Sequence, residues 1–393
     1  MPSSPKPMMP VRHVVYECVP GAYAGGVQKM VFELAAAQCR LGADVEVWAP
    51  DAIRAGSTEN FDGLPLRYFY PNPLLGLARS FRLGRALRRL PPGAVVHAHN
   101  SFNPLNLQVG RAAQAAGLKA YYHPHGALDP TLFSGNNFQA LKKRFYIRQF
   151  SLPNLNRARG VFALTPLERN QLTTLGLKTP VYVVPNGIRP VKVGRPECGQ
   201  ALREKHGISA DTPVILFVGR ITTKKRLEDV ILALSLLGAS SPHLLIAGSP
   251  NVEFGYAAKL FACVKACGHA ARVHWLGFLD EQAKAEAYAA ADVFVHASDS
   301  EGMALAILEA MDAGLPVVAT RGCYMTQAAS AGALVQCEQG PEALATALAP
   351  LVLDRARARA QGQSGQAYVR KVHDWETIAR ATLKIYEEDA QRS

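Results

Sequence analysis

At 393 residues, with 49% hydrophobic and 19% charged, the chain is long for a single core and balanced for a folded protein, so two domains of roughly 150 to 200 residues are expected. No apolar run approaches the ~18 residues of a membrane span, and seven widely spaced cysteines argue against a disulfide framework. The net charge of +12 is unevenly held: residues 1–190 carry 22 Lys and Arg against 9 Asp and Glu, and residues 191–393 carry 21 against 22, so the first half is suited to something anionic.

The amino terminus, M-P-S-S-P-K-P-M-M-P, is proline-rich and lacks the apolar core of a secretory signal, so it reads as a tail and the chain as cytosolic. A strand at His13–Val19 then runs into the turn P-G-A-Y-A-G-G and an amphipathic helix, Val27–Arg40. Such a turn leaves free N–H groups at a helix start, although the G-x-G-x-x-G dinucleotide spacing is absent. Strands follow at Asp44–Trp48, Leu66–Tyr70, Val95–His99, Ala120–His123, Val161–Thr165 and Val181–Val184, with helices at Asn103–Ala116 and Leu167–Leu175. This alternation predicts a doubly wound parallel sheet. Two basic, partly apolar helical segments, Arg79–Leu90 and the cluster Lys142, Lys143, Arg144 and Arg148 beside Phe145 and Phe150, fit an anionic surface or two solvated faces.

Four of the eleven histidines form two pairs, H-A-H at 97–99 and H-P-H at 123–125. Alternation along a strand is read as sending the members of each pair to opposite faces, and Cys263 and Cys267 find no partners for a zinc set, so no metal is expected. His125, flanked by Pro124 and Gly126, is the functional candidate because that turn projects it from the sheet edge.

After V-P-N-G-I (184–188) an Arg- and Pro-punctuated linker reaches about Glu197, and the rhythm restarts. Strands are read at Val214–Val218, His243–Ala247, Val273–Trp275, Val293–Ala297 and Pro316–Thr320, and helices at Leu227–Leu237, Gly255–Cys267, Asp280–Ala290 and Ala304–Ala313. A tail helix, Asp374–Asp389, shows Trp375, Ile378, Ala379, Leu383 and Tyr386 on one face. The first of these strands ends in G-R-I-T-T-K-K-R, where Gly219 admits a ligand to the backbone and Arg220 and Lys225 offer a fork and a point charge for phosphate. The stretch S-D-S-E-G-M-A-L-A-I-L-E places Glu301 and Glu309 beyond a strand end, where open α/β sheets bind ligands. Near a helix start they could equally be carboxylates favoured by the dipole.

Taken in order, the glycine-rich turn, H-P-H-G-A-L-D-P, V-P-N-G-I, G-R-x4-K and E-x7-E span almost the whole chain. Together they resemble glycosyltransferase family 4, retaining nucleotide-sugar-dependent enzymes of GT-B fold. The resemblance implies two Rossmann-like doubly wound domains facing a cleft: an acceptor domain at 1–190, a donor domain at 191–370, and a helix at 371–393 crossing back to the first. It implies that Arg220 and Lys225 bind the donor diphosphate and that Glu309 holds the ribose. Glu301, with the amides of Gly302, Met303, Ala304 and Leu305, would grip the transferred sugar. His125 would lie beside that sugar, with Gly25 and Gly26 in the loop that meets diphosphate and acceptor. The chain departs from the family pattern at Arg226, where many relatives have glycine, and at Met303–Ala304, where many have F-G.

The expected function is transfer of a hexose from a UDP- or GDP-sugar to a hydroxyl of a glycan or lipid-linked acceptor in bacterial lipopolysaccharide or exopolysaccharide synthesis. No cofactor or metal is required by this reading; the nucleotide diphosphate sugar is a substrate. The basic helices leave open a peripheral contact with the inner face of the cytoplasmic membrane. Two alternatives are nucleotide-sugar hydrolysis or epimerisation on the same fold, and a nonenzymatic nucleic-acid-binding protein. The second lacks a reader motif and interleaved stacking aromatics beyond Phe145 and Tyr146, so no nucleic-acid partner is expected.

Overall fold

The computed structural model describes residues 9–18, 26–72, 80–238, 242–253 and 255–391. The amino-terminal tail, the first glycine-rich turn including Gly25, and Arg79 of the first basic segment lie outside the described residues. The chain divides into two compact units, Met1–Gly187 with Trp375–Ser393, and Ile188–Asp374.

In the first unit eight strands form one sheet: β1 (Val11–Val14), β2 (Val45–Pro50), β3 (Thr58–Phe61), β4 (Leu64–Phe69), β5 (Val95–His99), β6 (Lys119–His123), β7 (Gly160–Ala163) and β8 (Val181–Val183). Their order is β3-β4-β2-β1-β5-β6-β7-β8. All neighbours run parallel except β3 and β4, which make an antiparallel hairpin at one edge. Its two-residue turn puts Asp62 at φ 52° and Gly63 at φ 81°, the left-handed pair that matches strand twist in a tight hairpin. Apolar layers pack on both faces of the sheet, which is why its central strands read as nearly continuous apolar runs. The helix Pro104–Ala116 shows the local logic. Asn103 accepts from the Asn106 amide at its start, and Gly117 at φ 62° ends it.

The helix Trp375–Gln391 belongs to this first unit. Trp375, Ile378, Ala379 and Tyr386 are buried in the same layer as Met30, Leu34 and Ala37 of the helix Gly26–Arg40. Gly187 meets the Trp375 ring so closely that an added Cβ would lie 2.4 Å from it.

The second unit holds β9 (Val214–Val218), β10 (His243–Ala247), β11 (Val273–Gly277), β12 (Val293–His296), β13 (Val317–Thr320) and β14 (Val335–Cys337). They are all parallel, in the order β11-β10-β9-β12-β13-β14. That is the 3-2-1-4-5-6 order of a dinucleotide-binding sheet. Helices at Pro196–Lys205, Pro341–Leu353 and Arg355–Val372 are additions to the sequence reading. The first begins inside the stretch read as linker.

One reading of the sequence is corrected here. His97 and His99 share a face, with ring centroids 4.2 Å apart, and the His123 and His125 rings stack at 3.8 Å. The side-chain period of a strand is two, so residues two apart lie on the same side, not on opposite sides.

Candidate functional site

In the second unit the sheet order reverses between β9 and β12, and the crevice beyond the carboxyl ends of such a pair is where open α/β sheets take ligands. The segments Gly219–Arg226 and Ala297–Ala304 leave from those two ends. They are laced together: the Asp299 amide donates to the Lys224 carbonyl at 3.0 Å. The Glu301 amide donates to the Gly322 carbonyl at 2.8 Å, and a Cβ on Gly322 would meet the carbonyl oxygens of Ser298 and Asp299 at 2.3 Å.

At the centre the Lys225 ammonium donates to the Glu301 carboxylate, and its Nζ lies 3.2 Å from His296 Nε2. Ser298 Oγ donates to the same Glu301 oxygen at 2.5 Å. Burial alone would raise the Glu301 carboxyl, but the neighbouring His296 imidazole, 3.6 Å away, and the Lys225 charge outweigh it and hold the group far below the usual carboxylate range. An acid held so firmly ionised is unsuited to donating or taking a proton near neutral pH. His296, at the end of the wholly buried β12, is pushed below its ordinary value by burial and then by Lys225. A lysine ammonium has three N–H donors, and these partners use two.

Arg220 is exposed and makes no ion pair or side-chain hydrogen bond among the described residues, so its fork is available to a ligand. Gly219 lies so near Gly248 that a Cβ on the latter would sit 2.0 Å from the Gly219 carbonyl. The next departure from the family pattern has a structural account. Arg226 stands at φ 49°, the left-handed region that favours glycine, and its guanidinium forks onto Asp229 with contacts of 3.0 and 3.2 Å.

Glu309 is in the middle of the helix Leu305–Asp312, beyond its first turn. The Tyr288 hydroxyl donates to it at 3.1 Å and Lys284 at 3.3 Å. The helix start carries no acidic residue, and Ala304 at its N-cap has no side chain that could cap the first-turn amides. Met303 and Leu305 are half-buried and Ala304 is buried.

His125 belongs to the first unit, just past β6, at φ 56°. Asn100 and Phe102, just past the neighbouring β5, also have positive φ, at 68° and 59°. Strained non-glycine backbone of this kind gathers at functional sites. The turn is pinned by Glu168, whose two oxygens accept from the amides of Gly126 and Leu164, each at 2.7 Å. His125 Nε2 lies 3.0 Å from His99 Nδ1, and burial keeps both imidazoles well below their ordinary values. Gly26 opens the helix Gly26–Arg40.

The structure thus brings Lys225 and Glu301 into direct contact, with Gly219 and Arg220 on the same strand-end loop. Three contributors were missed. His296 was visible as a lone histidine closing an apolar strand, Ser298 as the residue three before Glu301, and Glu168 as the last residue of T-P-L-E, a helix-start signature. In the structure Thr165 Oγ1 does accept from the Glu168 amide, at 3.1 Å.

Residues 200–368 match the family model described as glycosyl transferases group 1, and residues 25–187 match the glycosyl transferase 4-like domain. The chain is 26% identical to a D-inositol 3-phosphate glycosyltransferase of Kineococcus radiotolerans, over 94% of this chain and 91% of that one. It is 28% identical to a GDP-mannose-dependent monoacylated alpha-(1-6)-phosphatidylinositol monomannoside mannosyltransferase of Corynebacterium glutamicum, over 73% and 74%. The fold is similar to that of the Anabaena protein HepE in complex with UDP-glucose, with a TM-score of 0.77 and 19% identity over 98% of this chain and all (100%) of that one.

Proposed function

The chain belongs to the group 1 glycosyltransferases of family 4 and GT-B fold, and we propose that it moves a hexose, with retention, from a UDP- or GDP-sugar to a hydroxyl of a glycan or lipid-linked acceptor of the lipopolysaccharide or exopolysaccharide kind. The observation that carries this reading is the Lys225–Glu301–His296 cluster at the reversal of the second sheet, beside an unpaired Arg220 and an uncapped helix start. Breaking a sugar–phosphate bond places negative charge on the departing diphosphate, and preorganised cations and amides stabilise it as it forms. Lys225, steered by Glu301, keeps one N–H for that diphosphate, and Arg220 supplies a fork. Glu309, steadied by Tyr288 and Lys284, takes the ribose hydroxyls. Glu301 and the amides of residues 302–305 hold the sugar, His125 is assigned to its reacting side, and Gly25 and Gly26 to the loop for diphosphate and acceptor. The acceptor hydroxyl attacks from the face the diphosphate leaves, and its proton passes to the leaving phosphate oxygen. No step needs a carboxylate nucleophile, a cofactor or a metal. The GDP-mannose and UDP-glucose named for the two similar proteins support both nucleotide classes as donors.

The test is calorimetric binding of UDP- and GDP-sugars. Lys225→Ala and Glu309→Ala each remove a charge-assisted contact, and about tenfold to a hundredfold weaker binding is expected. Unchanged affinity in both variants rejects the donor site. Acceleration of donor consumption by an acceptor separates transfer from hydrolysis or epimerisation, and the anomeric configuration of the product tests retention.

We assign the membrane contact to residues 138–150. In the helix Phe81–Leu87, Leu83 and Leu87 are buried in the core, the arginines face outward and Phe81 is its single exposed large apolar side chain. The helix Phe138–Tyr146 is arranged the other way: Phe138, Leu141 and Phe145, at i, i+3 and i+7, are 79%, 52% and 61% exposed, beside Lys142 and Lys143. No helix among the described residues is long and apolar enough to cross a membrane. The protein is expected to float with vesicles containing anionic lipid at low salt, and Phe138→Ser with Phe145→Ser to abolish this. Absence of flotation by the unaltered chain, or flotation indifferent to the two changes, rejects the assignment.

A further inference from the structure

Five histidines from three segments of the first unit, β1, β5 and β6 with the turn after it, are stacked at the carboxyl edge of its sheet. His13 pairs in register with His97, and His99 with His123, while His125 follows β6. Their rings lie within stacking distance: 5.2 Å between His13 and His99, 5.8 Å between His97 and His123, and 5.3 Å between His99 and His125. One ligand nitrogen from each of His99, His123 and His125 can be chosen so that all three lie within 4.8 Å of one another. Of these five the proposed transfer calls on His125 alone, and on no array.

His123 is the informative member. It is 1% exposed, and neither of its ring nitrogens has a hydrogen-bond partner among the described residues. A buried imidazole in that state forfeits the hydrogen bonds it made to water. Coordination of a cation is one way for such a nitrogen lone pair to be satisfied. The opposite side of the cluster has the second shell that a metal-binding histidine needs. With Gln38 Oε1 as acceptor at 2.7 Å, His13 carries its proton on Nε2. His13 Nδ1 then accepts from His99 Nε2–H at 2.9 Å, which leaves His99 Nδ1 as a bare lone pair. That lone pair points at His125 Nε2, 3.0 Å away.

We infer that His99, His123 and His125 form a binding site for one divalent transition-metal ion, through His99 Nδ1, His125 Nε2 and one nitrogen of His123. Without metal, the proton between His99 and His125 sits on His125 Nε2. When the ion enters, that proton moves to His125 Nδ1 and both facing lone pairs bind the metal, so no net proton is lost. Zn–N bonds of about 2.0–2.1 Å at a tetrahedral centre set ligand nitrogens about 3.3 Å apart. The 3.0 Å edge is near that value, and the two edges to His123 are no longer than 4.8 Å. The fourth position is filled by water or an anion from the half-exposed His125 side. An all-imidazole set selects zinc, nickel, cobalt or copper over magnesium or calcium. The alternative triad His13, His97 and His99 is wholly buried and has Nδ1 of His97 on the Tyr386 hydroxyl at 2.7 Å, so it is the poorer site.

The test uses the full untagged chain, stripped with chelator and dialysed against Zn2+ or Co2+. One equivalent is expected to remain after gel filtration, and Co2+ should give the intense visible bands of a tetrahedral site, while Mg2+ is not retained. His123→Asn and, separately, His125→Asn are expected to abolish retention. Gln38→Leu, which removes the carbonyl that orders the tautomers, is expected to weaken binding about tenfold to a hundredfold. Circular dichroism of each variant excludes simple unfolding, and the half-exposed His125 is the safer of the two ligand changes. The second unit has its own pair, His243 Nδ1 and His274 Nε2 at 2.8 Å, so His274→Asn is the control. No retention by the unaltered chain, retention indifferent to His123→Asn and His125→Asn, or loss with His274→Asn instead, overturns the inference.

Discussion

Between pH 6.5 and pH 4 the first unit is expected to lose stability steeply. Burial pushes His13 down from the ordinary 6.5 to about 4 and His123 to about 3, and holds His97, His99 and His125 well below 6.5. Each folded value lies under the unfolded one, so in that window the unfolded chain binds more protons. The stability held by these neutral imidazoles is complete above about pH 6.5 and is lost as pH falls towards the folded values. A shift like that of His13 corresponds to a few kcal/mol, on the order of 3, and five such groups share one unit. Glu168, raised by burial, acts in the opposite sense as a single group. Glu301 lies in the second unit; held far down by its partners, it gives up its contribution as pH falls from the ordinary carboxylate range downward, at the acid end of this window and below it. Urea unfolding followed at pH 8, 6.5, 5.5 and 4.5 checks this. The midpoint is expected to hold between the first two and then to drop with each step, and a midpoint level to pH 4.5 contradicts it.

The alternation of apolar strands with helices was legible because both sheets are parallel and covered on both faces, so their strands appear as short unbroken apolar runs. Val95–His99, Val214–Val218 and His243–Ala247 have the expected bounds. The strand β3 was not legible in that way: Thr58, Glu59 and Asn60 are exposed at the sheet edge, and only the Asp62–Gly63 turn signals the hairpin. The helix Arg355–Val372 was missed because its buried positions are Ala358, Gly362, Gly365 and Val369. Small residues fit it against neighbours without creating an apolar period; a Cβ on Gly362 would lie 2.0 Å from the Gly314 carbonyl.

The candidate site was legible where it depends on residue type at a strand end, as for Gly219, Arg220, Lys225 and Glu301. It was illegible where chemistry depends on register between distant strands. His13 is aligned with His97, and His99 with His123, by the pairing of β1, β5 and β6, which no local spacing records. The tail helix adds Tyr386 to the same cluster from the far end of the chain. His296 was overlooked for a related reason. Within β12 it looks like a core residue, and only the loop carrying Lys225 turns it into part of a charged site.

That loop sets up the other large effect, an asymmetry between the two halves of one buried ion pair. Lys225 and Glu301 side chains are only 10% and 14% exposed, so removing one partner leaves a charge with little water, at a cost of about 3 to 5 kcal/mol. Glu301→Ala strands the Lys225 ammonium beside a neutral His296. Lys225→Ala strands Glu301, but Ser298 still donates to it and His296 can take a proton. In the intact protein Lys225 helps to push His296 down while Glu301 pulls it up, so deleting the lysine raises the His296 value. The folded variant then binds a proton at a pH where the unaltered folded protein does not. Its deficit relative to the unaltered protein therefore shrinks as pH falls and grows as pH rises. Unfolding of both variants at pH 8 and pH 6 is expected to show this trend for Lys225→Ala and not for Glu301→Ala, and the double variant should fall short of the sum by about 1 to 3 kcal/mol. Donor binding separates the same two residues. If Lys225 is kept in place for the diphosphate and Glu301 for the sugar, Lys225→Ala weakens binding of the free nucleoside diphosphate, whereas Glu301→Ala spares it and removes only what the sugar adds. Equal loss of nucleoside diphosphate binding in both variants would mean that the pair acts solely as a structural unit.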